Sequence, residues 1–383
     1  MKNILYILIF IQVACAEKDS NQELKNIEVI EIEKNKELRL TSFVNEIEYF
    51  VLPDELFISK IDKVLSFNDF LIICDFHDLS KVFIYNETSK KFVIIDDFGD
   101  GPGQYNSILD VTVNSKLNTI DILSLNKIIR YNFDGKFVDE IYKDIIFSKL
   151  LFLENDSYIV HIPSNLNDKL INDQLSGRIL YNWNSKTNSF YPMLPAYFER
   201  KFQMFADYNI LSKVNDEVFF SSSFMDTIYS FDASNYIKLK YVLDFGSKKF
   251  PLDLIYDNDL ASVLNDKNTH RRYYYHRANL HVNSRYLISK YNGDGKFNFI
   301  YDKKRKILYS GKKLINDIDY GISNLNVKLI TDEFIYDIVS PEIIIDYFKD
   351  NENDFYNINN NFTKLGKELS YNSSMVVIKY RLF

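Results

Sequence analysis

FLIICDF (Phe70–Phe76), KVFIYNETSKKFVII (Lys81–Ile95), DDFGDGPGQY (Asp96–Tyr105), VTVN (Val111–Asn114), TIDILSL (Thr119–Leu125) and KIIRYNFDGKFVDEI (Lys127–Ile141) follow one another in a single stretch. Short apolar runs rich in Ile, Val, Phe and Tyr are punctuated by Asn, Asp, Gly and Lys, the pattern of short strands joined by tight turns. A meander is therefore predicted, and its two motifs recur to the C-terminus.

The first motif is a strand like FLIICDF. It starts at Phe70, Thr119, Ser157, Glu217, Arg285 and Glu333. The second is an aromatic strand ending in Tyr or Phe followed by Asp or Asn, then a polar turn and another strand. It appears as VFIYNETSKKFVII, IIRYNFDGKFVDEI, ILYNWNSKTNSFYPML, IYSFDASNYIKLKYVL and FIYDKKRKILYSG. A repeat of about 40 to 65 residues with three or four antiparallel strands matches one propeller blade. A blade is a small sheet that cannot bury both faces alone, so stacking blades in a closed ring supplies the missing contacts. Six instances predict an all-β, six-bladed β-propeller.

Irregular spacing locates the elaborations. Asp253–Asp266 has helical character, Ser164–Gly177 is an Asn- and Asp-rich loop, and Pro341–Asp350 has proline at a helix start with Ile344, Ile345, Tyr347 and Phe348 on overlapping faces. Ser374–Leu382 is a final strand. An unpaired sheet edge is a liability, so an N-terminal segment is expected to complete the last blade. Both Ile27–Ile32 and Glu46–Leu52 suit that role.

Composition agrees with a packed domain. The 383 residues are 46% hydrophobic and include 31 Phe and 28 Tyr. Gly is scarce at 11, and Asn is expected to take its place at corners because it tolerates positive φ and caps its own turn. The 46 basic and 53 acidic residues give a formal charge of −7. Without a basic run, nucleic acid is not an expected partner. Cys15 and Cys74 are the only cysteines, so no disulfide framework is expected, and Cys74 inside FLIICDF reads as a small buried hydrophobe.

Met1–Ala14, MKNILYILIFIQVA, has one lysine, an apolar stretch and small residues before Cys15. That is the layout of a secretory signal too short to span a membrane. Ala14–Cys15 resembles the lipobox of bacterial lipoproteins, with Gln12 where that motif usually has Leu. The expected organisation is a signal at 1–14, lipid on Cys15 as the membrane anchor, a solvated tether at 15–26 and the propeller at 27–383. A plain cleaved signal and an uncleaved anchor are the alternatives.

Four passages are similar to the six-bladed β-propeller lipoproteins of Gram-negative bacteria, related in fold to NHL-type propellers. They are FGDGPGQY (Phe98–Tyr105), in which Gln104 replaces the usual Glu; YNFDGKF (Tyr131–Phe137); DTIYSF with LDFGSKKFP (Asp226–Phe231 and Leu243–Pro251); and SSMVVIKYRL (Ser373–Leu382). The resemblance implies a cell-envelope propeller in the outer membrane or elsewhere in the envelope, and carries no catalytic residue across.

Candidate chemistry is sparse. Gly99, Gly101, Pro102 and Gly103 lie close together, but a phosphate loop needs a following helix. Strand-like sequence follows here, so a structural turn is expected. His270, His276 and His281 in THRRYYYHRANLH are spaced for neither a helical pair nor strand alternation, which reads as a solvated loop or rim without metal. Arg271, Arg272, Tyr274 and Arg277 in the same segment form the expected contact patch, since Arg and Tyr are enriched at binding surfaces. The competing reading packs these tyrosines on a neighbouring blade. Asp96 with Asp97, and Asp317 with Asp319, lack any calcium-loop pattern, and no G-x-S-x-G elbow occurs.

No cofactor is expected. The leading expectation is a non-catalytic binding module for a glycan, peptide or protein. A propeller lyase or hydrolase and a scaffold subunit are the alternatives. Aromatics and Arg at one mouth of the channel would mark a binder, His and acids an enzyme, and an exposed apolar patch a scaffold.

Overall fold

The computed structural model describes residues 27–32, 37–163, 167, 178–195, 209–232, 236–254, 262–263, 266–352, 355 and 358–383. Met1–Asn26, with the expected signal, lipidation site and tether, lies outside them, as do the Ser164–Gly177 loop apart from Asn167 and most of Asp253–Asp266.

Six antiparallel sheets form the six blades of a propeller. Blade 1 comprises Lys63–Phe67, Phe70–Asp75, Lys81–Asn86 and Phe92–Ile95. Blade 2 comprises Asp110–Asn114, Thr119–Leu123, Lys127–Asn132 and Phe137–Tyr142. Blade 3 comprises Lys149–Glu154, Ser157–His161, Arg178–Asn184 and Ser189–Pro195. Blade 4 comprises Leu211–Val214, Glu217–Phe220, Thr227–Phe231 and Lys238–Asp244. Blade 5 comprises Tyr275–Val282, Tyr286–Asn292, Lys296–Asp302 and Ile307–Gly311. Blade 6 comprises Leu329–Ile330, Phe334–Val339, Val376–Leu382 and, as its outermost strand, Val44–Val51 from the other end of the chain.

The recurrent FLIICDF-like segment is the second strand of every blade, and the aromatic hairpin is the third and fourth of blades 1 to 5. Alternation explains why the second strand is apolar at successive positions. In Phe70–Asp75, Leu71 and Ile73 pack with Phe334, Tyr336, Ile338 and Val377 of blade 6. Ile72 and Cys74 pack with Val111, Ile120, Ile122 and Tyr131 of blade 2. Side chains on opposite faces of one strand thus meet two different neighbours. Each fully buried Ile or Leu contributes about 1.5–3 kcal/mol. Cys74 is a free, fully enclosed thiol, and burial pushes its pKa up.

Asparagine shapes the corners. Asn68, Asn118, Asn155 and Asn215 have φ of 51°, 53°, 47° and 52° in the hairpins joining the first and second strands of blades 1 to 4. At the end of the third strand, Asn86 Oδ1 accepts the amides of Thr88 and Ser89, Asn132 those of Asp134 and Lys136, and Asn184 those of Lys186 and Thr187. Asp302 accepts the Lys304 and Arg305 amides in the same way. The Asp or Asn of the second motif is therefore the residue that closes its turn.

Both N-terminal candidates for ring closure are strands, and they do different work. Val44–Val51 pairs antiparallel with Val376–Leu382, with Phe50 opposite Val377 and Tyr49 opposite Ile378. Glu28–Glu31 instead adds in parallel to the outer strand of blade 4, with Val29 opposite Val242. The Pro341–Asp350 helix is inserted within blade 6 and buries Pro341, Ile344, Ile345 and Phe348. A second helix, Asn361–Glu368, starts from an Asn360–Thr363 capping box.

Around the axis, polar groups join each blade to the next. Lys63 Nζ donates to Asp110 Oδ1 at 2.7 Å, and Asp110 Oδ2 accepts the Leu150 amide at 2.9 Å. Lys213 Nζ donates to the Leu153 carbonyl at 2.6 Å, and the Val282 amide to Ser212 Oγ at 3.0 Å. Lys290 Nζ donates to Asn326 Oδ1 at 3.2 Å and Lys328 Nζ to the Ile61 carbonyl at 2.9 Å. These bonds run through blades 1 to 6 and back to 1.

Candidate functional site at the mouth of the central channel

The first strand of each blade lines the axis. At their N-terminal ends, on the side of blades 5, 6 and 1, lies a cavity of about 740 Å³, within the range of ordinary ligand pockets. Residues 59–63 lead into blade 1, Asn326–Lys328 lead into blade 6, and Arg277–Asn279 with His281 belong to blade 5. Asp337 and Val339 come from the second strand of blade 6, and Ser340 and Ile343 from the start of its helix.

The lining is dominated by cations. Lys60, Lys63, Arg277, Lys290, Lys296 and Lys328 face two carboxylates, Asp62 and Asp337. Asp62 Oδ2 is engaged by the Phe76 amide at 2.8 Å and His77 Nδ1 at 2.9 Å. Its burial works to raise the pKa, but the bonds from His77 and Phe76 hold it below the usual carboxylate range. Asp337 is different. It is 1% exposed, its Oδ2 accepts the Asn326 amide at 2.9 Å, and Oδ1 has no hydrogen-bond partner among the described residues. Burial raises it to about 6 against the pull of the Asn326 amide and of Lys328. Burial likewise lowers Lys290 and Lys328, with Asp337 opposing.

The expected contact patch is divided by the fold. Arg271 and Arg272 are exposed at the end of a short Lys267–Arg272 helix. Tyr274 is buried between blades 4 and 5 among Phe245, Leu280, Tyr291 and Phe297, and its hydroxyl donates to Asp294. Arg277 lines the channel cavity. The structure therefore does not bring the four together: Tyr274 packs between blades 4 and 5, Arg277 lines the cavity, and Arg271 and Arg272 lie apart on the short helix.

The histidine expectation needs correcting. His276 and His281 are not on a solvated rim; they are 1% and 4% exposed on the innermost strand of blade 5. The register slips between Arg277 and His281, around Asn279 at φ 96°, and this bulge hid the strand. His276 lies between Ser221 Oγ at 3.2 Å and Ser289 Oγ at 2.6 Å. Ser221 Oγ also bonds the Thr227 carbonyl and Ser289 Oγ the Arg277 carbonyl, so the ring sits between two hydroxyls that are themselves tied to the backbone. Among the described residues, no group of three or more His, Cys, Asp or Glu is placed to hold a metal.

The remaining candidates are tied into the scaffold. Residues 99–103 form the loop between blades 1 and 2: Gly101 N donates to Gln104 Oε1 at 3.0 Å, Gly103 N to Glu140 Oε2 at 3.1 Å, and Tyr131 to the Gly103 carbonyl. Gly103 has φ +70°, and a Cβ there would sit 2.8 Å from the Phe137 ring. Asp96 pairs with Lys81. Asp317 accepts from Thr41, and Asp319 from Tyr49 and Asn316. None of these carboxylates faces the cavity.

Among the described residues, the mouth carries Arg277 and lysines but no Phe, Tyr or Trp of the kind a binder was expected to show. Sequence reading missed Lys290, Lys328 and Asp337, because lysines and an aspartate scattered through strands look like solvated positions until the ring brings them together. Among the described residues, no helix is long and apolar enough to cross a membrane.

No curated protein matches the sequence. A solved structure from Bacteroides fragilis NCTC 9343, named as a candidate exported protein, has a TM-score of 0.72 at 18% identity, covering 93% of this chain and 99% of that one. At that identity the likeness shows the fold. A DUF4221 family member from Bacteroides vulgatus has a TM-score of 0.49 at 8% identity, covering 89% of this chain and 97% of that one. The profile described as domain of unknown function DUF4934 matches residues 24–381, nearly the whole length, and the chain belongs to that family.

Proposed function

We propose that this protein is an exported, lipid-anchored propeller of the cell envelope that binds a ligand, without transforming it, at the mouth of its central channel. The observation that carries the reading is the cavity of about 740 Å³ at the N-terminal ends of the first strands, where blades 5, 6 and 1 and the start of the Pro341–Asp350 helix converge. Concave sites fed by several elements are where folds of this kind accommodate ligands, since each blade can vary its contribution without disturbing the ring. Export is supported by the apolar Met1–Ala14 segment ahead of Cys15 and by the name of the Bacteroides fragilis neighbour.

Two experiments test this reading. Metabolic labelling with an alkynyl fatty acid should tag the wild-type chain and not Cys15→Ala, and the variant should leave the membrane fraction; equal labelling would remove the anchor. Full-length protein in detergent, screened on glycan and peptide arrays, should lose its hits when Ile343, half-exposed at the cavity edge, becomes Trp. Hits that persist would move the ligand elsewhere.

A further inference from the structure

Resting on the reading of the mouth as a ligand site, the lining also indicates what the ligand carries. In a chain with a formal charge of −7, this cavity reverses sign, and one of its two carboxylates, Asp62, is already engaged by His77 and the Phe76 amide. Each lysine ammonium offers three donors, of which the structure directs one from Lys328 to Ile61 and one from Lys290 to Asn326. The Pro341–Asp350 helix presents its N-terminal turn to the same space, and its N-cap Ser340 makes no side-chain cap bond. That end of a helix favours negative charge.

Three buried atoms of the lining have no hydrogen-bond partner among the described residues, two carboxylate oxygens, Asp62 Oδ1 and Asp337 Oδ1, and one ring nitrogen, His281 Nε2. Their characters are opposite. Asn209 Nδ2 must donate, because it bonds the Leu280 carbonyl at 3.0 Å, and it lies 3.1 Å from His281 Nδ1. His281 Nδ1 is therefore an acceptor, and Nε2 carries the ring proton. Burial lowers the pKa of this ring to about 3, with Lys290 and Lys328 acting in the same direction against the Val327 carbonyl, so the ring is neutral. The cavity thus offers two unmet carboxylate acceptors, a ring N–H drawn only weakly to the Val327 carbonyl, several cations and the amides of Asn279, Asn292 and Asn324. A bare anion would satisfy the cations and leave Asp337 unmatched. Hydroxyl groups both donate and accept, and so suit the mixed remainder.

We propose that the channel mouth binds an acidic saccharide, its carboxylate or sulfate seated among Arg277, Lys290 and Lys328 and its hydroxyls meeting Asp337, His281 and the asparagines. The test is calorimetric titration of the full-length protein in detergent with a glucuronate-containing disaccharide, a sulfated disaccharide, neutral maltotriose and hexaglutamate. At least one acidic disaccharide should bind at least tenfold more tightly than maltotriose or hexaglutamate, and the stronger of the two identifies the acid group. Lys290→Gln and Arg277→Gln should each weaken it about tenfold, whereas Asp337→Asn, which keeps an acceptor oxygen for a hydroxyl and removes a charge of the ligand's own sign, should strengthen it several-fold.

A merely structural role would move all three variants in the same direction, and that result overturns the inference. So does maltotriose binding as well as the acids, hexaglutamate binding most tightly, or the absence of binding by either acidic disaccharide. Ile343→Trp separates this failure from failure of the site. If it abolishes binding of neutral sugar or peptide, the mouth stands as a site and only the acidic class falls. If acidic saccharide still binds that variant, both readings fall.

Discussion

Tyr158 of blade 3 donates its phenolic hydrogen to Asp121 Oδ2 of blade 2 at 2.6 Å, across a seam from which water is excluded. Asp121 also accepts from Thr119 Oγ1 at 2.7 Å, and Arg130 donates to the Tyr158 oxygen at 3.0 Å. Burial raises the Asp121 carboxyl against the hydrogen bonds from Tyr158 and Thr119. Polar groups buried in this way are tolerated because each has partners.

Removing one partner isolates the others. Tyr158→Phe keeps the ring against Phe152 and Trp183 but deprives Asp121 of a donor. A loss of about 1–3 kcal/mol is expected, read as a lower urea midpoint. An unchanged midpoint would mean that the network contributes no stability.

His276 makes stability depend on pH. Burial depresses its pKa to about 4 from an ordinary 6.5, so the unfolded chain takes up a proton at a pH where the native one resists it. Stability should therefore fall as pH drops from above 6.5 towards 4, by about 2 kcal/mol between pH 7 and 5 from this residue. His276→Gln should flatten the profile, whatever it does to absolute stability. Asp337, raised to about 6, acts in the opposite sense: its contribution is present below the ordinary carboxylate pKa and is lost as pH rises through 6. Asp337→Asn should therefore steepen the acid loss.

Asn118, at φ 53° in the first hairpin of blade 2, tests the corner argument. Asn118→Gly should be neutral within about 0.5 kcal/mol, while Asn118→Val should cost about 1–2 kcal/mol because a β-branched side chain resists left-handed backbone. Equal melting temperatures for the two variants would refute the role assigned to asparagine.

Ring closure offers the most severe test. Deleting the chain before Pro53 removes Val44–Val51 and leaves Val376–Leu382 as a bare edge. The shortened protein should aggregate or associate through that edge, visible in light scattering. A stable monomer with native circular dichroism would show that blade 6 does not need its N-terminal strand.

Much of the scaffold was legible because each blade repeats one local rule. The apolar second strand serves two seams in every blade, and the Asp or Asn ending the third strand closes a turn in blades 1, 2, 3 and 5, so both left a local mark. The site was legible only in fragments. Arg277 stood out within an Arg- and Tyr-rich run, but the partners it meets, Lys290, Lys328 and Asp337, carry no local signal. His276 and His281 were misplaced because a bulge at Asn279 broke the alternation by which strands are recognised.

The chain's own order of residues determined the number of blades, the strands that compose them and the asparagine corners, since these follow from contacts between near neighbours in sequence. Only the tertiary structure decided that Val44–Val51 closes the ring while Glu28–Glu31 joins blade 4, and that the cations of blades 5, 6 and 1 share one cavity. Both depend on residues far apart along the chain, whose meeting is fixed by the closure of the ring and not by the pattern within any one blade.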